Sequence, residues 1–422
     1  MFRNTFVVLS VLILQFFILA KSNDLISILI ETKNSILVLN IGENKKLYQS
    51  YFGEKLNNIS DYNKVPSVRH EVYSTYSNEN LFEPAIRITH SDGNPSLDLF
   101  YENHKTEKVD DNVTITKIFL KDTQYPIEVN LCYKIFYNEN IIKQWAEIQH
   151  HENDIITLYN FASSQINFDA SNYWLTQFHG DWAREMQMKE SKLTSGIKII
   201  DSKLGSRAHM YQTPVFFLSF NNPSDENDGE LIAGTLAWSG NFQLLFEIDS
   251  KNSLRIISGM NPFASEYHLL PEEKFVAPSF VFTYSKKGKG EASRNFHRWA
   301  RNYGIMDGNK PRLTLLNNWE ATGMDFNEGV LSELIVDAKR LGVDLFLLDD
   351  GWFANKYPRN DDKAGLGDWE ENKIKLPHGL GYLVKEAEKN GVKFGIWLEP
   401  EMVNPKSELY ENHPDWILKF PN

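Results

Sequence analysis

The chain has 422 residues, a length that suggests about two or three domains. Apolar residues make up 42% and aromatics 13%, so sizeable cores are possible. A net charge of -12 without any basic cluster excludes nucleic acid as the expected partner.

The first residues read MFRNTFVVLSVLILQFFILAKSND. Arg3 precedes an apolar run from Phe6 to Ala20, and small residues sit at the offsets for cleavage after Ser22. Residues 1–22 are expected to be a signal peptide. A single-span anchor is the rival reading, but the run is shorter than the ~20 residues a span needs and contains Gln15. No later segment is long and apolar enough to cross a membrane, so no stable anchor is expected after cleavage. The expected destination is the secretory pathway, with the product secreted or lysosome-like. The sequons Asn58-Ile-Ser and Asn112-Val-Thr fit that route. Cys132 is the only cysteine, so stability must come from packing rather than an internal disulfide.

Over 23–290 short alternating apolar runs stand between turn residues, as in NVTITKIFLKD, VNLCYKIFY, TPVFFLSFN and FVAPSFVFTYS. They predict many strands and a large antiparallel sandwich. His179 and His209 fall in these segments and are read as structural; Trp182, Arg184 and Glu185 suggest a polar link between domains. GKGEAS at 288–293 superficially suggests a phosphate-binding loop, but it lacks a third glycine and follows a sandwich strand. GEASRNFHRWARNYG has Ala292, Phe296, Trp299 and Ala300 at helical spacing; 291–310 is read as a linking helix and connector.

From 311 to 422 the pattern changes to strand, loop, helix, strand. RLTLLNNW, VDLFLLDD and VKFGIWLEPEM read as near-continuous apolar strands. EGVLSELIVDAKRLG and LGYLVKEAEKNG read as amphipathic helices stopped by glycine, and KSELYENHPDWIL as a third helix or its start. That alternation indicates a parallel sheet. Ligands of parallel α/β sheets meet the carboxyl ends of the strands. Those ends carry Trp319 and Glu320, then Asp349 and Asp350, then Trp397, Glu399 and Glu401. Two adjacent carboxylates accept several hydrogen bonds, which suits a ligand rich in hydroxyls, and tryptophan faces suit a sugar ring. Gly351 permits the turn that would bring both acids to one ligand. Metal binding is the competing use of two acids, but no histidine or further aspartate stands at ligand spacing, and no metal or other cofactor is expected. RNDDKAGLGDW lacks the spacing of a calcium loop and is read as a solvated loop over the pocket.

The stretches LLNNWEATGMDFNE, LLDDGWF, GLGDWEENKIKLPHGL and FGIWLEPEMVNPKSELYENHPDW closely resemble the family 36 glycoside hydrolases, retaining α-galactosidases or melibiases. GDWARE, SKLGSRAHMYQTPVFF, LAWSGNF and NPF resemble segments of that family's N-terminal domain. The resemblance implies a β-supersandwich over 23–290, the linking helix, and the first three or so βα units of a (β/α)8 barrel over 311–422. It implies that Asp349 and Asp350 grip the O4 and O6 hydroxyls of galactose and that Trp319 and Trp397 wall the pocket. The implied activity is hydrolysis of terminal α-D-galactose. α-N-acetylgalactosaminidase or raffinose-synthase-like transglycosylase chemistry, or a secreted non-catalytic galactoside-binding module, are the alternatives.

Retaining glycosidases need a carboxylate nucleophile and a second carboxyl roughly 5 Å away. In the family the nucleophile belongs to a Lys-Trp-Asp motif on the fourth strand, with the acid/base later still. No Lys-Trp-Asp sequence occurs here, so neither catalytic acid is expected in this chain. About 110 residues follow Pro311, against ~250 for a closed barrel. The expectation is a chain that is inactive or an incomplete gene product. Where relatives carry Asp and Arg to reach a neighbouring subunit's site, this chain has Asn80 and Phe82, which leaves a homo-oligomer possible but doubtful.

Overall fold

A computed structural model describes residues 26–62, 70–76 and 82–419. The signal-peptide reading of 1–22 and residue Asn80 lie outside the described residues. No described helix is long and apolar enough to cross a membrane. The chain divides into two compact units, 1–304 and 305–422.

The first unit is built on a large antiparallel sheet. It runs from the edge strand Gln187–Lys192 through Tyr173–His179, Gln212–Phe220, Leu231–Ala237, Ser279–Ser285, Ile141–His150, Ile127–Phe136 and Val113–Asp122 to Leu99–Lys108. Alternating apolar residues produce it: in Ile141–His150 every second side chain from Ile142 onward is buried. A four-stranded antiparallel sheet, Ser164–Asp169, Ser253–Met260, Phe242–Ile248 and Gly196–Asp201, packs against it. Phe216 of the large sheet meets Phe246 of the smaller one edge-on at 5.0 Å. A Cβ on Gly234 would lie 2.4 Å from the Phe280 ring, so only glycine leaves room for the aromatic layer. Cys132 is buried in this unit and unpaired. The outer strand Leu99–Lys108 exposes every residue from Glu102 to Lys108.

The helix Gly288–Trp299 belongs to this unit. Phe296 and Trp299 pack against Val113, Phe136, Ile141 and Val281. Its first amides are not an anion site: Lys289 and Gly290 donate to the carbonyls of Asp225 and Glu226. His179 lies between the side-chain amides of Gln177 (2.6 Å) and Gln212 (3.2 Å), and His209 stands edge-on to Phe242. Trp182 is 81% exposed.

The second unit is a three-stranded parallel sheet, ordered Leu315–Asn317, Leu345–Leu348, Lys393–Ile396. Helices Glu328–Arg340 and Leu380–Lys389 connect the strands. Asn327 caps the first helix by accepting from the Val330 amide at 3.1 Å. Leu331, Ile335 and Ala338 form its buried face, at the 4- and 3-residue spacing that a helix stacks. They pack with Phe346 and Leu348 of the central strand and with Leu383 and Ala387 of the second helix. The first strand ends two residues earlier than the apolar pattern suggests. Asn317 accepts from the Trp319 amide at 2.8 Å and Asn318 bonds the Thr322 hydroxyl at 2.9 Å. These side chains compete with the ladder and start the short helix Trp319–Thr322.

Candidate functional site

The parallel register puts three strand ends on one rim. Asn317 pairs with Leu347, Leu348 with Ile396, and the Trp397 amide donates to the Leu348 carbonyl at 2.8 Å. Trp319, the Asp349–Asp350 pair and Trp397 therefore all follow the carboxyl ends of adjacent strands.

The two acids are met differently. Asp350 is buried and forms an ion pair with the guanidinium fork of Arg359: Nε to Oδ1 is 3.0 Å and Nη2 to Oδ2 is 2.8 Å. This is the bidentate geometry in which arginine best compensates a buried carboxylate. Arg359 is buried too and uses its remaining donors on the carbonyls of Asp361 and Ala364, on Asp362 and on Asn404. Asp349 is half-buried. One of its oxygens takes a short hydrogen bond from the Asn317 side chain, and the other accepts from the Asp350 amide at 2.7 Å. Its own amide donates to Asn318 Oδ1 at 2.8 Å. The alternation of a strand explains the division: Phe346, Leu348 and Asp350 continue one side, and Leu347 and Asp349 the other.

Gly351 has φ +101°, and a Cβ there would approach Met324 to 3.0 Å. The turn that ends the strand thus needs glycine for its dihedral and for its neighbour. Aromatic rings follow. Trp397 stands 6.4 Å from Trp369 with the rings inclined at 63°, and Trp369 lies 4.5 Å from Phe353. The Trp352 indole donates to the Trp397 carbonyl at 3.1 Å. Trp319 is 38% exposed. Glu399 is partly buried, and Glu320 and Glu401 are exposed.

The stretch RNDDKAGLGDW differs from a solvated loop. Asp361 and Asp362 are exposed, but Arg359 and 365–368 are buried. Asp368 accepts from the amides of Glu408 and Leu409, both at 2.9 Å, and so serves the first turn of the helix Glu408–Asn412, whose N-cap is Ser407. Asn404, eight residues after the third strand ends at Ile396, accepts from Arg359 Nη1 at 3.2 Å and from the Leu366 amide at 3.0 Å. Sequence reasoning did not single out Arg359, Asn404 or Asn317. The one available signal was a lone arginine in an acidic loop, eleven residues after the strand's last residue Leu348. Among the described residues no cluster of histidine, cysteine or carboxylate groups could hold a metal.

Residues 45–270 match the glycosyl hydrolase family 36 N-terminal domain, and residues 274–422 match the melibiase domain. α-Galactosidase AgaA of Geobacillus stearothermophilus is 34% identical over 366 residues, covering 83% of this chain and 50% of that protein. α-Galactosidase C of Emericella nidulans is 35% identical over 362 residues, covering 79% of this chain and 48% of its own. A crystal structure of an AgaA variant in complex with raffinose superposes with a TM-score of 0.88 at 30% identity, over 94% of this chain and 59% of that one. The α-galactosidase of Lactobacillus brevis gives 0.86 at 27% identity, over 95% and 58%. The chain thus spans about half the length of the curated relatives it matches. The antiparallel body and the parallel unit both fall within these matches, and the chain belongs to glycosyl hydrolase family 36.

Proposed function

We propose that this chain carries the galactose-recognition groups of an α-galactosidase, on a β-supersandwich followed by the first strands of a (β/α)8 barrel. The observation that supports the reading is that two acids and two tryptophans follow the carboxyl ends of three adjacent parallel strands. Asp349, half-buried on the side of the sheet away from the helices, is the acceptor for a sugar hydroxyl. Asp350 presents whatever lone pairs the Arg359 fork leaves. Trp397, braced by Trp369 and the Trp352 indole, and the partly exposed Trp319 cover the apolar parts of the ring. Solved relatives hold raffinose and stachyose, and galactosides of that kind are the ligands proposed here.

Bond cleavage falls to acids other than this pair. A nucleophilic carboxylate must be free to attack, whereas Asp350 is held by a guanidinium and Asp349 by Asn317 and a backbone amide. In this reading the 422-residue chain binds galactose without turning galactosides over.

Calorimetry of the purified chain with galactose and with glucose, its C4 epimer, tests this. Galactose is expected to bind and glucose to fail, and Asp349→Asn is expected to weaken galactose by about 10- to 100-fold. Equal heats for the two sugars, or none for galactose, reject the reading.

We also propose entry into the secretory pathway, with Asn58 as the glycan site. Asn58 is exposed and its side-chain nitrogen makes a single long bond, to Asp61 at 3.3 Å, whereas the Asn112 side-chain nitrogen is committed to Glu139 (2.7 Å) and Tyr303 (2.8 Å). Peptide mapping of secreted protein is expected to find one glycan, at Asn58. A glycan at Asn112, or none at all, counts against it.

A further inference from the structure

Lys375 lies in the loop between Trp369 and the helix Leu380–Lys389, away from the strands that carry the acids. Its ammonium donates to three backbone carbonyls: Met324 at 2.8 Å, Gly351 at 2.9 Å and Arg359 at 3.1 Å. These carbonyls belong to three separate segments. Met324 follows the short helix at the end of the first strand. Gly351 is the turn directly after Asp350. Arg359 is the arginine that pairs with Asp350. An ammonium has three protons and no acceptor, so all of its donors are used within the protein. Burial pushes Lys375 below the ordinary lysine value. Three carbonyl dipoles are what a desolvated ammonium requires, and the Phe326 ring adds a face at 5.0 Å.

The lysine is itself fixed. Its amide donates to Asn372 Oδ1 at 3.0 Å, and its carbonyl accepts from the Glu328 amide at 2.9 Å. Asn372 is buried and ties back to the same turn: its amide donates to the Trp352 carbonyl at 2.8 Å and its side chain to the Ala354 carbonyl at 2.6 Å. One side chain thus anchors the main chain beside both partners of the Asp350–Arg359 ion pair.

We propose that Lys375 is a positioning residue for the sugar-binding acids. By gathering the carbonyls of Met324, Gly351 and Arg359 it fixes the turn that follows Asp350 and sets the direction in which Asp349 and Asp350 offer their oxygens. The proposal rests on the galactose reading above. Lys375 touches no ligand, because it has no donor left to offer one.

The test compares the 422-residue chain with Lys375→Met by hydrogen exchange and by galactose calorimetry. Exchange is expected to rise by roughly tenfold over 349–360 and to stay unchanged in the antiparallel unit. Galactose binding is expected to fall by about tenfold or more. Rescue separates positioning from mere bulk. Lys375→Cys treated with 2-bromoethylamine rebuilds an ammonium at nearly the lysine length, and is expected to recover both slow exchange and binding. The native Cys132 is buried, and burial, with Glu147 nearby, pushes its thiol up to about 12, so the reagent spares it. If Lys375→Met does not fold, Lys375→Arg takes its place. Its planar fork cannot converge on three carbonyls and is expected to give faster exchange over 349–360 in a folded chain.

Unchanged exchange over 349–360, unchanged galactose affinity, or no recovery on aminoethylation overturns the proposal. If the unsubstituted chain binds no galactose, the galactose reading fails separately, and exchange alone then judges the clamp by the same criterion.

Discussion

The two units bury charge in different places. In the antiparallel unit polar pairs are spread through the body: His90 Nδ1 lies 2.6 Å from Glu152, and Arg255 pairs closely with Glu247. The first lies just past the strands Ile86–Thr89 and Ile141–His150, and the second joins the adjacent strands Phe242–Ile248 and Ser253–Met260. In the parallel unit the central strand is wholly apolar, and Asp350, Arg359 and Lys375 gather just beyond its carboxyl end. An antiparallel sheet can satisfy a buried polar group anywhere along its length. A parallel sheet covered by helices leaves only its ends, so the charges concentrate where a ligand could meet them.

The sharpest way to break this contrast is to remove one charge from the rim. Arg359→Leu leaves Asp350 buried without its partner and is expected to destabilise the parallel unit by about 3–5 kcal/mol. Urea unfolding followed by exchange should show that unit melting first, with the antiparallel unit intact; loss of both together would mean the rim charges do not act locally. Next comes the turn. Gly351→Ala must hold φ near +101° and press against Met324, for a cost of about 1–3 kcal/mol. The same denaturation curve measures it, and a change under about 0.5 kcal/mol would remove the strain assigned to the turn.

The smallest effect sharpens the other side of the comparison and depends on pH. Burial alone would raise the Glu152 carboxyl, but the His90 hydrogen bond and the bonds from the Ser91 amide and hydroxyl outweigh it and hold it below the ordinary glutamate value. A depressed carboxyl contributes stability that is present above the unfolded value of about 4.3 and is lost as pH falls through the folded one. The antiparallel unit should therefore lose stability on acidification below about pH 4.3, and Glu152→Gln should flatten that limb. An identical acid limb in the variant would show that other carboxylates govern it.

Much of this was legible in the residues. Alternation of apolar positions marked the antiparallel strands, and Gly342 and Gly391, both at positive φ, marked the helix ends. The LLDDG transition marked the rim, because a buried run ending in two like charges requires partners. Those partners were not legible. Arg359 reaches Asp350 only because the loop folds back over its own start, and Gly365, with φ +82°, sits 2.6 Å by its would-be Cβ from the Tyr357 carbonyl. Lys375 works through main-chain carbonyls, which carry no sequence identity at all. Trp319 looked like a strand end because asparagine side chains ended the strand early, a competition that periodicity does not register.

The outermost strand of the large sheet, Leu99–Lys108, has a practical meaning for how this protein behaves in concentrated solution. Glu102, Lys105, Glu107 and Lys108 all lie on its exposed stretch. Any second molecule adding a strand there would have to dehydrate four ionised side chains before gaining a ladder of hydrogen bonds. That border therefore discourages stacking into fibres, and the sheet stops growing where the chain's own strands run out.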